Sequence, residues 1–441
     1  MSASDRGSLR GPRARACSRR EALGALLRSI AAVAAWAPAS ACAPRDDAGR
    51  TRASLWFAYG GKNREVLLSL VARFNESAPG YRIEATYQGD YFEALAKLRT
   101  AMAVGEAPAL THVVGEVVPY LAEAGVLAPL EELADEARRE LVPELAQSGT
   151  FISGDARPLW ALPFNRSTPI AYYNRKVFRE LGLAPPATWD ELRAVASAAT
   201  RRAGGSVDRW GFICPVDWWF WVALVGQAGQ PVIAADGTPT LGGEAGVRAL
   251  ELWQTLVHED RTMRPPPGRD YNAWQSANTD FLSGRAAMIW TSTAFLRYLE
   301  ENARFEVGVA PLPRLVRSSV PTGGTMFVMP KSGPREAAPA AIAFLRWMMQ
   351  PEQANEWATR TGYIPTSRAG IDELDRRGYY RAHPNDRVAL DQLSAAAPWP
   401  WAPSLFRLQR EVVQPRLEEA VLVRRDAREA LAVARRDALA P

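Results

Sequence analysis

Residues 53–114 read ASLWFAYGGKNREVLLSLVARFNESAPGYRIEATYQGDYFEALAKLRTAMAVGEAPALTHVV. Ala53 to Tyr59 is a strand-like run that ends in Gly60-Gly61, after which Val66, Leu67, Leu70, Val71 and Phe74 fall on one helical face. Tyr81 to Tyr87 alternates as a strand does, Tyr91 to Val104 returns to helical spacing, and Leu110 to Val114 is apolar again. Strands alternating with helices predict a parallel sheet with helices packed on it, an α/β fold. In such a sheet ligands meet the C-terminal strand ends, where Gly60, the Gly89-Asp90-Tyr91 turn and Glu116 fall.

A second α/β region starts at Ile170 to Tyr173. Thr188-Trp189-Asp190-Glu191 has the form of a capping box. Val247, Leu250, Trp253, Leu256 and Val257 mark an amphipathic helix; Pro351 to Thr361 predicts another, opened by Pro and stopped by Gly362. Phe305 to Val309 and Met326 to Met329 read as strands. No repeat or low-complexity linker separates the two regions, as expected of two lobes whose chain crosses between them more than once.

The 441 residues suit two or three domains and a large core. The 53 basic and 48 acidic residues give a net charge of +5, but residues 1–41 contribute seven Arg against two acids. The remainder holds 46 of each sign, so the sustained basic excess of a nucleic-acid binder is missing. Those first 41 residues have the Arg-rich start, Ala/Leu-rich segment and small-residue end of an export signal. Ser18-Arg19-Arg20 with Leu23 resembles a twin-arginine signal, and Ala39-Ser40-Ala41 before Cys42 resembles a lipobox. Two export routes stay open, and so do lipidation at Cys42 and cleavage without lipid. Cys214 has no internal partner in the mature chain, so no disulfide framework is expected.

Three scattered histidines (His112, His258, His383) make no metal motif, and no nucleophile elbow, Walker loop or dinucleotide fingerprint occurs. No metal or cofactor is expected, and binding is favoured over catalysis. Trp218-Trp219-Phe220-Trp221 offers indole faces for the C–H face of a polyol. Pro163-Phe164-Asn165-Arg166-Ser167-Thr168-Pro169 sets short polar side chains between two prolines, suited either to a crossover beside a cleft or to a surface loop. Thr322-Gly323-Gly324-Thr325 suits an anion's approach to backbone amides, or a plain turn.

Residues 53 to 435 resemble the extracellular solute-binding proteins of ABC importers, the maltose-binding-protein-like class, and within it the glycerol-3-phosphate binders. The resemblance rests on Arg73-Phe74-Asn75, Thr86 to Tyr91, Pro163 to Asn174 (PFNRSTPIAYYN), Thr188 to Leu192, Thr322-Gly323-Gly324 and Thr361 to Pro365. It implies a two-lobe periplasmic-binding-protein fold (type II) with the ligand cleft between lobes: 52–163 plus 294–350 as lobe one, 168–290 plus 351–441 as lobe two. It implies ligand contacts from Tyr91, Glu116, Ser167, Ser292, Gly323, Gly324 and Tyr363, a tryptophan pair at Trp218 and Trp221, and a phosphate-side arginine at Arg410, with Arg407 as rival. The expected protein is a monomeric periplasmic receptor for glycerol 3-phosphate or a glycerophosphodiester, working with ABC permease subunits. The alternatives are a neutral sugar or oligosaccharide as ligand and, remotely, a secreted hydrolase built on carboxylates.

Overall fold

The computed structural model describes residues 49–146, 158–397 and 399–439. The export signal and Cys42 lie outside the described residues. Strand β1 (Thr51–Phe57), helix α1 (Gly61–Ser77), strand β2 (Tyr81–Tyr87), helix α2 (Tyr91–Val104) and strand β3 (Leu110–Val114) follow the order of the opening stretch. β1 pairs in parallel with β2 and β3, so the parallel sheet is present. The sheet is extended antiparallel: β9 (Gly323–Pro330) runs beside β3 and also pairs with β4 (Leu162–Ser167). Its core holds Leu55, Phe57, Leu67, Phe74, Phe327 and Phe344.

The second sheet is built on β5 (Pro169–Asn174), flanked by β7 (Ala286–Ser292) and β8 (Val307–Ala310), with β6 (Ser206–Ile213) beyond β7. Helices α3 (Trp218–Gln227) and α4 (Asp270–Leu282) belong to this side. A single residue, Thr168, separates β4 in one sheet from β5 in the other. Thr168 is fully buried there, and its carbonyl accepts a hydrogen bond from the Thr293 amide at 3.1 Å.

Two segments sit elsewhere than expected. β8 falls within 294–350, assigned above to lobe one, yet it pairs antiparallel with β5 of the second sheet. Helix α5 (Pro351–Thr361), assigned to lobe two, buries Trp357 in the core of the first, where its ring lies 4.5 Å from Phe164. The resemblance located the crossings by chain position, whereas strand pairing joins β8 to the second sheet and one large buried indole joins α5 to the first core.

Local signals are largely as the sequence reads. Gly362 ends α5 at φ 107°, the left-handed conformation that glycine tolerates. Thr188 accepts from the Glu191 amide at 3.2 Å, but the Glu191 carboxylate reaches one residue further back and accepts from the Ala187 amide at 2.7 Å. Cys214 is buried, and burial pushes its thiol well above its ordinary range. No helix of the described residues is long and apolar enough to cross a membrane.

Candidate ligand-binding site

A cavity of about 190 Å³ lies between the two sheets. Polar groups reach it from both: Tyr91, Glu116, Gly323 and Gly324 from the first, Asp217, Trp219 and Ser292 from the second, and Ser167 from the crossing. Tyr91 opens α2 directly behind the cap Asp90, whose carboxylate accepts from the Phe92 and Glu93 amides at 2.8 and 2.9 Å. This cap fixes the start of the helix, and with it the direction of Tyr91. The Tyr91 and Tyr363 hydroxyls lie 3.2 Å apart, and Asn165 Nδ2 donates to Tyr363 at 3.3 Å. Asn165 is itself fixed by the Thr325 amide, which donates to its Oδ1 at 2.7 Å. Burial raises the pKa of both tyrosines, so they stay neutral and offer O–H donors.

Glu116 follows β3 in a 3₁₀ turn and is 7% exposed. Burial raises its carboxyl pKa to about 7, against the opposing pull of its own backbone amide and of Arg166, while Asp217 adds to the rise. Arg166 is fully buried and holds its place by donating from Nη1 to the Gly324 carbonyl at 3.2 Å and from Nη2 to Thr322 Oγ1 at 2.9 Å. Burial lowers its pKa to about 10, so it remains a cation at neutral pH. The sequence motif contains Arg166 without marking a role for it; a charged residue between two prolines beside Asn was the available signal.

The buried carboxyl has a pH signature. Glu116 is neutral in the folded chain and ionised in the unfolded chain between its ordinary pKa near 4.5 and about 7. Its contribution to stability is full below that window and is lost as pH rises through it, by about 3 kcal/mol in all. Unfolding free energies of wild type and Glu116→Gln from urea denaturation, compared at about pH 4 and about pH 8, should differ by that change. A difference that does not move with pH would show that the carboxyl is not desolvated.

Seven expected residues, Tyr91, Glu116, Ser167, Ser292, Gly323, Gly324 and Tyr363, line this one cavity. The tryptophan pair does not. Trp218 and Trp221 are 1% and 0% exposed: Trp218 stacks on Trp399 at 5.9 Å, and the Trp221 indole donates to the Gly246 carbonyl at 3.3 Å. Helix α3 is enclosed on several sides and buries all four successive aromatics. Trp219 is the one whose ring reaches the cavity, stacked at 5.3 Å on Trp274 of α4, with Tyr271 one turn away. Nothing in the local sequence separates Trp219 from its neighbours; the helix phase does, and Asp217 sets it by capping Trp219's amide at 2.8 Å.

Arg410 is also displaced from its expected place. Residues Leu408–Val413 form a π-helical turn, which inserts a residue relative to an α-turn and rotates the residues after it. Gln409 lines the cavity, whereas the Arg410 guanidinium lies 4.0 Å over the Phe92 ring. Arg407 donates to the Ala438 carbonyl at 3.4 Å, away from the cavity lining. Among the described residues no group of three His, Cys, Asp or Glu side chains is placed to hold a metal ion.

Residues 69–375 match the family model of the bacterial extracellular solute-binding proteins. The chain belongs to that family. This solute-binding protein is 27% identical over 380 residues to the sn-glycerol-3-phosphate-binding periplasmic protein UgpB of Yersinia pestis, covering 80% of the chain and 83% of the relative. The UgpB of Escherichia coli O1:K1 is 27% identical over 373 residues, with the same coverage. Among solved structures, UgpB of Mycobacterium tuberculosis in complex with glycerophosphocholine superposes with a TM-score of 0.75 at 23% identity, covering 87% of this chain and 96% of that one. Maltose-bound MalE3 of T. maritima gives 0.77 at 20% identity, covering 88% and 98%. The fold is the two-lobe periplasmic-binding-protein fold, and the chain is the solute-binding component of an ABC importer.

Proposed function

We propose that this solute-binding protein is a receptor, not an enzyme, that takes up glycerol 3-phosphate or a glycerophosphodiester and presents it to the importer's permease subunits by closing one lobe on the other. The observation that carries it is a cavity whose polar groups come from both sheets. A solute touching both sides binds the closed form better and shifts the hinge equilibrium toward it. Glu116 accepts hydrogen bonds from glycerol hydroxyls, and Tyr91, Tyr363, Ser167 and Ser292 with the Gly323–Gly324 backbone supply donors for phosphate oxygens. The volume, roughly a dozen water-sized sites at ~15 Å³ each, suits a solute of that size better than a long oligosaccharide. The names of the UgpB relatives support the same solute class. The neutral-sugar alternative has one specific observation in its favour, the Trp219–Trp274 pair on the wall.

The moving bodies in this proposal are the halves built on the two sheets, hinged where Thr168 and Thr293 meet, near 321–323 and after α5. They replace the expected boundaries at 294 and 351. The protein works as a monomer, exported by its first 41 residues and held to the membrane if Cys42 is acylated. Glycerol 3-phosphate or glycerophosphocholine should quench or shift tryptophan emission and compact the protein in solution scattering. If maltose does both while neither glycerophosphate does, the solute is a sugar. A saturating ligand that leaves scattering unchanged removes the hinge.

A further inference from the structure

Residues 399–409 form a strap whose side chains divide between the two halves. Trp399, Ala402, Leu405 and Leu408 are 7%, 1%, 0% and 2% exposed and belong to the core of the second sheet's side. Trp399 is fixed further by its stack on Trp218 and by its indole N–H, which donates to the Thr322 carbonyl at 2.9 Å. Trp401 and Phe406 turn the other way, half-buried against a cluster of the first sheet's side that holds Leu95, Val117, Leu121 and Met326. Trp401 Nε1 donates to Glu123 Oε1 at 2.9 Å, and the Phe406 ring lies 6.2 Å from that of Phe92. Phe92 lines the cavity, whereas neither Trp401 nor Phe406 does.

Burial separates the two sets. The four anchors tie the strap to the second half, while Trp401 and Phe406 keep part of their surface in water, which suits a contact that parts and re-forms. Two aromatic side chains withdrawn from water on contact stabilise it in proportion to the apolar area they cover. The Trp401–Glu123 bond is open to water and directs the indole more than it strengthens the contact. A second contact joins the halves: Lys62 Nζ, at the start of α1, donates to the Glu301 carboxylate at 3.0 and 3.3 Å, and Glu301 stands on the helix Leu296–Asn302 of the second side. Its side chains are 35% and 50% exposed, so it contributes little.

Resting on the hinge-closing receptor reading above, we propose that Trp401 and Phe406 are a clasp that sets solute affinity without touching the solute. Phe92 is at once a wall of the cavity and the partner of Phe406, so the contact stands at the cavity's edge, and a hinge motion that opens the cavity draws it apart. The clasp fixes the fraction of closed protein, and every solute's apparent dissociation constant is divided by that fraction.

Affinities of wild type and a Trp401→Ala/Phe406→Ala double variant for glycerol 3-phosphate, glycerophosphocholine and maltose test this. Every solute that wild type binds should weaken by the same factor, about tenfold or more, because only the closed population has changed. At saturation the variant should scatter as compact wild type does, which shows that it still folds and closes. Phe406→Ala alone should give part of the loss, and Phe406→Leu, which keeps most of the apolar contact, should recover most of it. Lys62→Met should change affinity by less than about twofold. Double-variant affinities within about twofold of wild type, losses that differ several-fold between solutes, or a Lys62→Met loss as large as the clasp's overturn the proposal and spare the receptor reading. A wild type that binds none of the three solutes overturns both.

Discussion

Replacing Arg166 with methionine is expected to lower folding stability by about 3 to 5 kcal/mol, because two buried acceptors lose their donor and the Glu116 carboxyl loses the cation that acts on it. The guanidinium is fully buried, donates to Gly324 and Thr322, and is the cation nearest to Glu116. Methionine fills much of the volume but leaves two acceptors without a donor and Glu116 without its counter-charge. The cost has a charge part and a hydrogen-bond part, which a double-mutant cycle separates. In a Glu116→Gln background the amide needs no cation, so the loss on removing Arg166 should shrink by roughly 1 to 3 kcal/mol. Urea denaturation of the four proteins gives both numbers. A loss under about 1 kcal/mol for Arg166→Met, or equal losses in both backgrounds, would show that the pair does not hold the cavity floor together.

Gly324→Ala should be at least as damaging. Its φ of 92° lies where a side chain is strained, and a β-carbon there would stand 1.7 Å from the Asn165 carbonyl oxygen. Backbone of β4 or β9 must move, at about 3 kcal/mol or more. The same displacement disturbs Asn165, which fixes the Tyr91–Tyr363 pair, so ligand affinity should fall together with stability. A stable Gly324→Ala protein with normal binding would contradict the packing of these two strands.

The opening stretch was readable because its information is local. Val66, Leu67, Leu70, Val71 and Phe74 are the buried face of α1, and the β1–β2–β3 pairing follows from the alternation of strands and helices. The seven cavity residues came instead from motifs of the resemblance, and they gather because each stands at a strand end, a helix start or a crossing. What escaped depends on helix phase or on distant partners. Trp219 differs from Trp218 only in the direction that the Asp217 cap assigns to it, and it is Gln409, not Arg410, that faces the cavity from the π-helical turn. The place of α5 was not legible because Trp357 chooses its core by contacts with Phe164 and Tyr59, far earlier in the chain.

The close approach of Gly323 to Trp219 bears on how such sites diversify. A β-carbon at 323 would lie 2.5 Å from the Trp219 ring, so the indole packed against this position holds it to glycine. One position is on strand β9 of the first sheet and the other on helix α3 beside the second, and they cannot mutate independently. A lineage that enlarges residue 323 must first shrink residue 219, giving up the aromatic wall, while one that shrinks residue 219 first frees 323 to drift. The order of substitutions is thereby constrained, and a change of solute preference in descendants of this chain has an easier path through position 219 than through the glycine.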